Sequence, residues 1–370
     1  MQINYVCHEC GKKYDPKSLA FRCECGGLFD IEKFDPHFSI SSNEWSLFRY
    51  IKALPFDDSF NLWKDISMGE GLSPIVSLEK DHPDLLVKVD YMMPTLSFKD
   101  RGAVVLIAKA KELGVKKVIQ DSSGNAGTSI AAYANRANIE CDIYVPENTS
   151  AKKVKQITSH GAKVHLVKGT REDTAKAALN SVERGEGFYA SHVYNPFFYQ
   201  GTKTYAYEIY EQLNGEIPDT LVIPVGNGTL LLGSYYGFKE LQEAHLISKM
   251  PRIIAVQSEG CAPLYKAFCA GETTVKEVTN TGTLAEGIAI AEPKRGKQIL
   301  EAIRDTNGEI IIASETKIVE TRKYLAEKGF YVEPTTAATF AGFFDYYEKN
   351  KHKTNGKVIL PLCGAGLKAD

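Results

Sequence analysis

Pro94-Thr95-Leu96-Ser97-Phe98-Lys99-Asp100-Arg101-Gly102 is the stretch on which the reading of the fold turns. Before it runs Leu85-Leu86-Val87-Lys88-Val89, an apolar segment that reads as a strand. After it, residues 103–110 read as a helix. One lysine therefore sits where a strand hands over to a helix, the kind of join at which α/β proteins bind ligands. Lys99 there can form an imine with a carbonyl ligand. The alternative is a surface lysine paired with Asp100, and the stretch alone favours it.

Outward from this join the alternation continues. Strands are expected over 117–120, 141–145 and 163–167, followed by helices from Gly124 to Arg136, over 151–159 and over 171–184. A second series begins after Gly187-Phe188-Tyr189-Ala190. It has a helix over 202–213, a strand over 221–225, a helix from Thr229 and strands over 252–256 and 310–312. Helices over 315–328 and 335–347 and a strand over 357–360 complete it. Alternation at this spacing means parallel sheets covered by helices, and two sheets with a cleft between them are the simplest arrangement. Residues 31–75 carry Trp45, Phe48, Tyr50, Phe56, Phe60 and Trp63 and read as a wrapping arm with short helices.

The chain has 370 residues, enough to bury a large core and to form two domains. Apolar residues make up 44% and charged residues 24%, as in ordinary globular proteins, and 44 basic against 46 acidic residues leave a net charge of -2. That balance points away from nucleic acid and from an anionic membrane as partners. No apolar run has the length of a membrane span and the start lacks a signal-like core, so a cytoplasmic protein is expected.

Four of the eight cysteines crowd the beginning: Cys7-His8-Glu9-Cys10-Gly11 and Cys23-Glu24-Cys25-Gly26-Gly27. A Cys-x-x-Cys-Gly turn lets two thiolates face one ion, and tetrahedral zinc takes four such ligands. The second pair is Cys-x-Cys, tighter than usual, so a metal-free hairpin of thiols competes with structural zinc. His8 is a weaker fifth ligand candidate.

Three further strand-to-helix joins or strand ends carry small residues. In Ser122-Ser123-Gly124-Asn125-Ala126-Gly127, a serine N-cap before small residues exposes the first N–H groups of a helix, which suits a carboxylate or phosphate. A capped helix with nothing bound is the equal alternative. Val225-Gly226-Asn227-Gly228-Thr229-Leu230 turns backbone N–H groups toward a phosphate. Gly226 and Gly228 match the first two glycines of a dinucleotide fingerprint, but Leu231 holds the third position, so a single phosphate ranks above NAD. Leu362-Cys363-Gly364-Ala365-Gly366 ends a strand, where a small side chain can meet a ring nitrogen or a Gly-rich turn can simply close the fold.

An imine-forming lysine, a phosphate cradle and a carboxylate site describe a pyridoxal phosphate enzyme acting on an amino acid. The chain resembles the threonine synthase branch of the fold-type II (tryptophan synthase β-like) pyridoxal phosphate enzymes, over nearly its whole length. Pro-Thr-x-Ser-Phe-Lys-Asp-Arg-Gly carries the resemblance, joined in order by Ser-Gly-Asn, Gly-Asn-Gly and Glu333-Pro334-Thr335.

The resemblance implies an α/β fold with two open, mostly parallel sheets, helices on both faces and the cofactor in the cleft between domains. The expected division is a Cys-rich zinc module over 1–32, a large domain over 33–94 plus 200–370 and a small α/β domain over 95–199. It implies that Lys99 carries the internal aldimine and shuttles protons, and that Asn125 hydrogen-bonds the cofactor's phenolic oxygen. Ser122, Ser123, Gly124 and Ala126 are implied for the substrate carboxylate, and Gly226, Asn227, Gly228, Thr229 and Leu230 for the cofactor phosphate. Cys363 falls where the family places a serine or threonine against the pyridine nitrogen, and a thiol is the weaker partner. The zinc ligands would be Cys7, Cys10, Cys23 and Cys25, and a homodimer is expected.

The implied reaction converts O-phosphohomoserine and water to threonine and phosphate. One departure bears on it. Asn195-Pro196-Phe197-Phe198-Tyr199-Gln200-Gly201-Thr202-Lys203-Thr204 resembles the family's Asn-Pro-x-Arg-x-Glu-Gly-x-Lys-Thr, with Phe198 in place of an arginine suited to the substrate's phosphate and Gln200 in place of the glutamate. Lys203, or another cation, could compensate. The alternatives are β-elimination or β-replacement on serine, threonine or a related amino acid and, in another class, a non-catalytic protein that binds cofactor and amino acid.

Overall fold

The computed structural model describes residues 3–18, 20–34, 37–56, 61–350 and 356–369. Phe60 of the aromatic arm lies outside them. The chain divides into two compact units, residues 1–70 with 99–202 and residues 71–98 with 203–370. The division cuts the segment expected to be part of the large domain, because the arm packs in the smaller unit. Phe48 stacks on Trp63 there with ring centres 4.6 Å apart, and the Tyr133 hydroxyl donates to Glu70 over 2.9 Å.

The smaller unit is built on four parallel strands in the order Lys163–Val167, Glu140–Pro146, Lys117–Gln120, Phe188–Tyr189. Their valines and isoleucines suit a pleated surface buried under helices. Among these helices, Ala151–Ser159 is capped by Ser150 and Arg171–Glu183 by a capping box between Thr170 and Asp173. The helix Lys99–Glu112 is buried over every residue from Asp100 to Ala110, as a central core helix must be. It begins at Lys99, four residues before the expected start. A small antiparallel sheet of Tyr5–Cys7, Lys13–Tyr14 and Phe29–Ile31 belongs to the same unit. Tyr5 stacks on Phe29 and tilts against Phe197, with ring centres 5.2 and 5.5 Å apart.

The larger unit is a six-stranded sheet in the order Glu309–Ala313, Arg252–Ser258, Thr220–Pro224, Val358–Pro361, His82–Lys88, Ile75–Glu79. Only the last strand runs antiparallel, at the edge. Val222, Ile254, Val256, Phe340, Phe343 and Leu360 form its core. Lys88, completely buried, donates to Glu208 over 2.8 Å, to Gln212 over 3.0 Å and to the Ser73 carbonyl over 2.9 Å. Three acceptors satisfy the ammonium, the condition on which a buried charge is tolerated.

The helix expected over 202–213 is two helices, Pro196–Thr202 in the smaller unit and Thr204–Gln212 in the larger. The first starts where Asn195 Oδ1 accepts from the Phe197 N–H over 3.0 Å, with Pro196 in the first turn where its missing donor costs nothing.

Candidate active site

In the smaller unit, Lys99 heads its helix, half-buried, with Nζ 5.6 Å from the centre of the Phe198 ring. Asp100 is completely buried and accepts from the Ser129 hydroxyl. Phe198, also completely buried, fits because residue 102 is glycine: a Cβ there would lie 2.4 Å from its ring. The two helices approach through a second glycine, since a Cβ on Gly201 would lie 1.9 Å from the Arg101 carbonyl oxygen. The position where an arginine was expected is thus an apolar wall beside the lysine.

His192 meets the Phe198 ring edge-on, centres 5.9 Å apart. It is 8% exposed, and its Nδ1 has no hydrogen-bond partner. Burial, with the nearby charges of Lys99 and Arg171 adding to it, holds its pKa well below the usual imidazole range, so the ring is neutral.

The Ser122 loop follows the strand Lys117–Gln120. Ser122 does not cap the helix Asn125–Arg136 as expected; Gly124 occupies the N-cap and brings no side-chain acceptor. Ser122 Oγ accepts from the Gly124 N–H over a long 3.4 Å instead. The cause is the tightness of the turn, in which a Cβ on Gly127 would sit 1.8 Å from the Ser122 carbonyl oxygen. Ser122, Ser123, Gly124 and Asn125 are half-buried and Ala126 is buried. A helix start without a side-chain cap retains its capacity for an anion. Asp121, just before the loop, accepts from the Tyr189 hydroxyl over 2.9 Å, and burial raises its pKa.

In the larger unit, Gly226, Asn227, Gly228, Thr229 and Leu230 join the strand Thr220–Pro224 to the helix Thr229–Glu243. Gly228 is the N-cap, at φ +75°, again with no side-chain cap. A Cβ on Gly226 would lie 2.8 Å from Ile290 Cγ1 and 3.0 Å from the Gly287 carbonyl oxygen. Cys363 is buried, its N–H donating to Thr336 Oγ1 over 3.1 Å and its carbonyl accepting from the Phe98 N–H over 2.9 Å. Ser97 pairs with Gly364 as an isolated bridge, and its buried hydroxyl has no partner.

Lys203, expected as the compensating cation, is buried and already paired in the larger unit. Its side chain has no accessible surface, and its ammonium donates to Glu240 over 2.9 Å, with the Tyr207 hydroxyl on the same carboxylate.

Cys7, Cys10, Cys23 and Cys25 come together with all four Sγ atoms within 4.8 Å of one another. Cys7 lies 3.5 Å from Cys25, and Cys10 lies 3.5 Å from both Cys23 and Cys25. A tetrahedral zinc with bonds near 2.3 Å separates its sulfurs by about 3.8 Å, so the quartet is of the right size. Gly11 and Gly26, at φ +71° and +87°, form the two turns. His8 faces Asp30, 2.9 Å away.

The residues that sequence reasoning missed are Ser97 and His192. Ser97 lay inside the decisive stretch, whereas His192 had no partner at a telling spacing.

The family model described as "Pyridoxal-phosphate dependent enzyme" matches residues 66–364. Threonine synthase of Methanocaldococcus jannaschii is 34% identical over 376 residues, covering 98% of this chain and 92% of the relative. Threonine synthase of a Synechocystis species is 35% identical over 289 residues, 77% of this chain and 72% of the relative. Among solved structures, the processed form of threonine deaminase isoform 2 from Solanum lycopersicum superposes with a TM-score of 0.71 at 25% identity, covering 90% of this chain and 88% of that one.

Proposed function

This chain belongs to the pyridoxal-phosphate-dependent enzyme family, in its threonine synthase branch, and on that premise we propose that it converts O-phosphohomoserine and water to threonine and phosphate. The whole-length likeness to threonine synthases is the observation that carries the reading.

The residues present fit pyridoxal 5'-phosphate. The glycine cradle at Gly226 and Gly228 opens an uncapped helix, which supports phosphate binding by Gly226, Asn227, Gly228, Thr229 and Leu230. In this reading Lys99 would hold the cofactor covalently, Asn125 would donate to its phenolic oxygen and Cys363 would stand at its ring nitrogen. When bound, the cofactor supplies the electron sink that acidifies Cα and Cβ of the amino acid joined to it. Lys99 Nζ would take the Cα proton and one Cβ proton as phosphate leaves Cγ with the electron pair of the broken C–O bond. It would return one proton to Cγ and one to Cα, while water adds its hydroxyl at Cβ and gives its other proton to the departing phosphate. The Ser122, Ser123, Gly124 and Ala126 backbone orients the substrate carboxylate. Phe198 keeps bulk water from one side of the lysine.

We propose further that Cys7, Cys10, Cys23 and Cys25 hold a structural zinc, supported by the size of the quartet. In this reading the protein is a cytoplasmic homodimer. Its eight cysteines are all free of disulfides, and no helix among the described residues is long and apolar enough to cross a membrane.

Phosphate release from O-phosphohomoserine with threonine formed is the expected result for the purified holoenzyme. A second reading, elimination or replacement at Cβ of serine or threonine, is favoured by the apolar wall at Phe198 and the enclosed Lys203. Ketoacid and ammonia from serine or threonine, with O-phosphohomoserine untouched, would establish that reading instead. Borohydride reduction should fix the cofactor to wild-type protein and not to Lys99→Ala; fixation in that variant would remove Lys99 from its role.

A further inference from the structure

We infer that Tyr5 is a positioning residue for Lys99, acting through Phe197 and the helix Pro196–Thr202; the inference rests on the reading that Lys99 carries the cofactor. Every part lies in the smaller unit. In the small antiparallel sheet Tyr5 pairs with Tyr14 on one side and with Ile31 on the other. Cys7 pairs with Phe29, so Phe29 is the diagonal neighbour of Tyr5 and their side chains share a face. Tyr5 stacks on Phe29 at an interplanar angle of 13°, and Tyr14 tilts against Phe29 with ring centres 4.9 Å apart. The Tyr14 hydroxyl lies 3.2 Å from Cys23 Sγ, which ties this aromatic face to the cysteine quartet.

Tyr5 and Phe29 are buried, and Phe197 covers the face, its ring centre 5.5 Å from that of Tyr5. Phe197 also lies against the helix that Lys99 heads: Lys109 Nζ, in the last turn of Lys99–Glu112, is 5.3 Å from its ring centre. One ring therefore bridges the hairpin and the Lys99 helix. Gly201, three positions after Phe198 and four after Phe197, lies on the same helix face as both. There the two helices meet main chain to main chain. A Cβ on Gly201 would lie 1.9 Å from the Arg101 carbonyl oxygen, and the Phe198 ring fills the place that a Cβ on Gly102 would take. Contacts this close leave no room at those points for a side chain that would absorb a displacement. With Tyr5 truncated, Phe197 loses the ring that backs it and its helix relaxes toward the space left. Phe198, whose ring centre is 5.6 Å from Lys99 Nζ, moves with that helix.

The test uses holoenzyme of wild type, Tyr5→Ala, Tyr5→Phe and Ile157→Ala; the last removes another completely buried side chain of the same unit. Two readouts report on the lysine whatever the substrate: the absorbance maximum of the bound cofactor and the rate at which hydroxylamine releases it from Lys99. Tyr5→Ala should displace the maximum and speed release by about tenfold, with kcat on O-phosphohomoserine down by about 10- to 100-fold and KM within about threefold of wild type. Tyr5→Phe keeps the ring and should match wild type within about twofold on each measure. Ile157→Ala should melt at lower temperature with absorbance and release as in wild type. Where Tyr5→Ala does not fold, Phe197→Leu removes the same contact from the other side and carries the same expectation. Folded variant lacking either ring, with absorbance and release unchanged, would overturn the inference, as would Ile157→Ala reproducing the changes. Wild-type protein in which borohydride fixes no cofactor to Lys99 would overturn the functional reading itself, and this assignment with it.

Discussion

Gly201→Ala separates the cost of disturbing Lys99 from the cost of unfolding the protein. The new Cβ would lie 1.9 Å from the Arg101 carbonyl oxygen and 2.8 Å from Gly102 Cα. A carbon needs about 3.3 Å from such an oxygen, so the helices Pro196–Thr202 and Lys99–Glu112 must part by roughly 1.4 Å. Both obstructing atoms are main chain, and no rotamer change relieves them. Two stability effects oppose each other. Alanine gains about 1 kcal/mol of helix preference over glycine, while overpacking costs about 1–3 kcal/mol. The net loss is small. The displacement is not, because Lys99 lies two residues from Arg101 on the helix that moves. A misplacement of about 1 Å at a reacting group costs on the order of 100-fold in rate. The expectation is therefore kcat/KM for phosphate release down by about 100-fold, with the thermal midpoint lower by no more than about 3 °C. Folded Gly201→Ala protein with activity within about threefold of wild type would refute the claim that this glycine contact positions the lysine.

The other predictions concern metal and pH. Protein purified without chelator should contain about one zinc per chain, and Cys10→Ser should lose it and melt at lower temperature; elemental analysis without zinc would refute the site. Glu70 is buried, which raises its pKa to about 7 from 4.5, although Ser67, Met68 and Tyr133 donate to it. The folded state therefore binds this proton more tightly than the unfolded chain. The associated stability is complete below pH 4.5 and lost as pH rises through about 7, by roughly 3 kcal/mol. Wild-type thermal midpoints should fall across that window more steeply than those of Glu70→Gln, and parallel curves would show that Glu70 titrates normally.

Much of this fold was legible because strand and helix periods alternate cleanly from Leu85 onward. The early start of the Lys99 helix was not, because Lys-Asp-Arg-Gly carries neither apolar period nor strong helix preference. Burial of Asp100 and Arg101 overrides both. Asn195-Pro196 was a readable start signal, obscured by the aromatic run Phe197-Phe198-Tyr199, which has no helical period. Lys203 looked like a surface cation because sequence does not show that Glu240, 37 residues on, waits for it. The glycine loops and the cysteine quartet were legible because their chemistry depends on short spacing. His192 was not, since only strand order brings its segment to the edge that carries the Ser122 loop.

The packing of Tyr5 and Phe29 near the helix Pro196–Thr202 also bears on how the chain matures. The thiol hairpin closes through contacts within residues 5–31, whereas Phe197 leaves the ribosome 168 residues after Phe29. At about 5–20 residues per second, that interval is roughly 10–30 s. For that time the aromatic face of the nascent hairpin still lacks the helix that covers it. Loading of the proposed zinc would thus precede the burial of that face, and the rings would stay exposed on the young chain meanwhile.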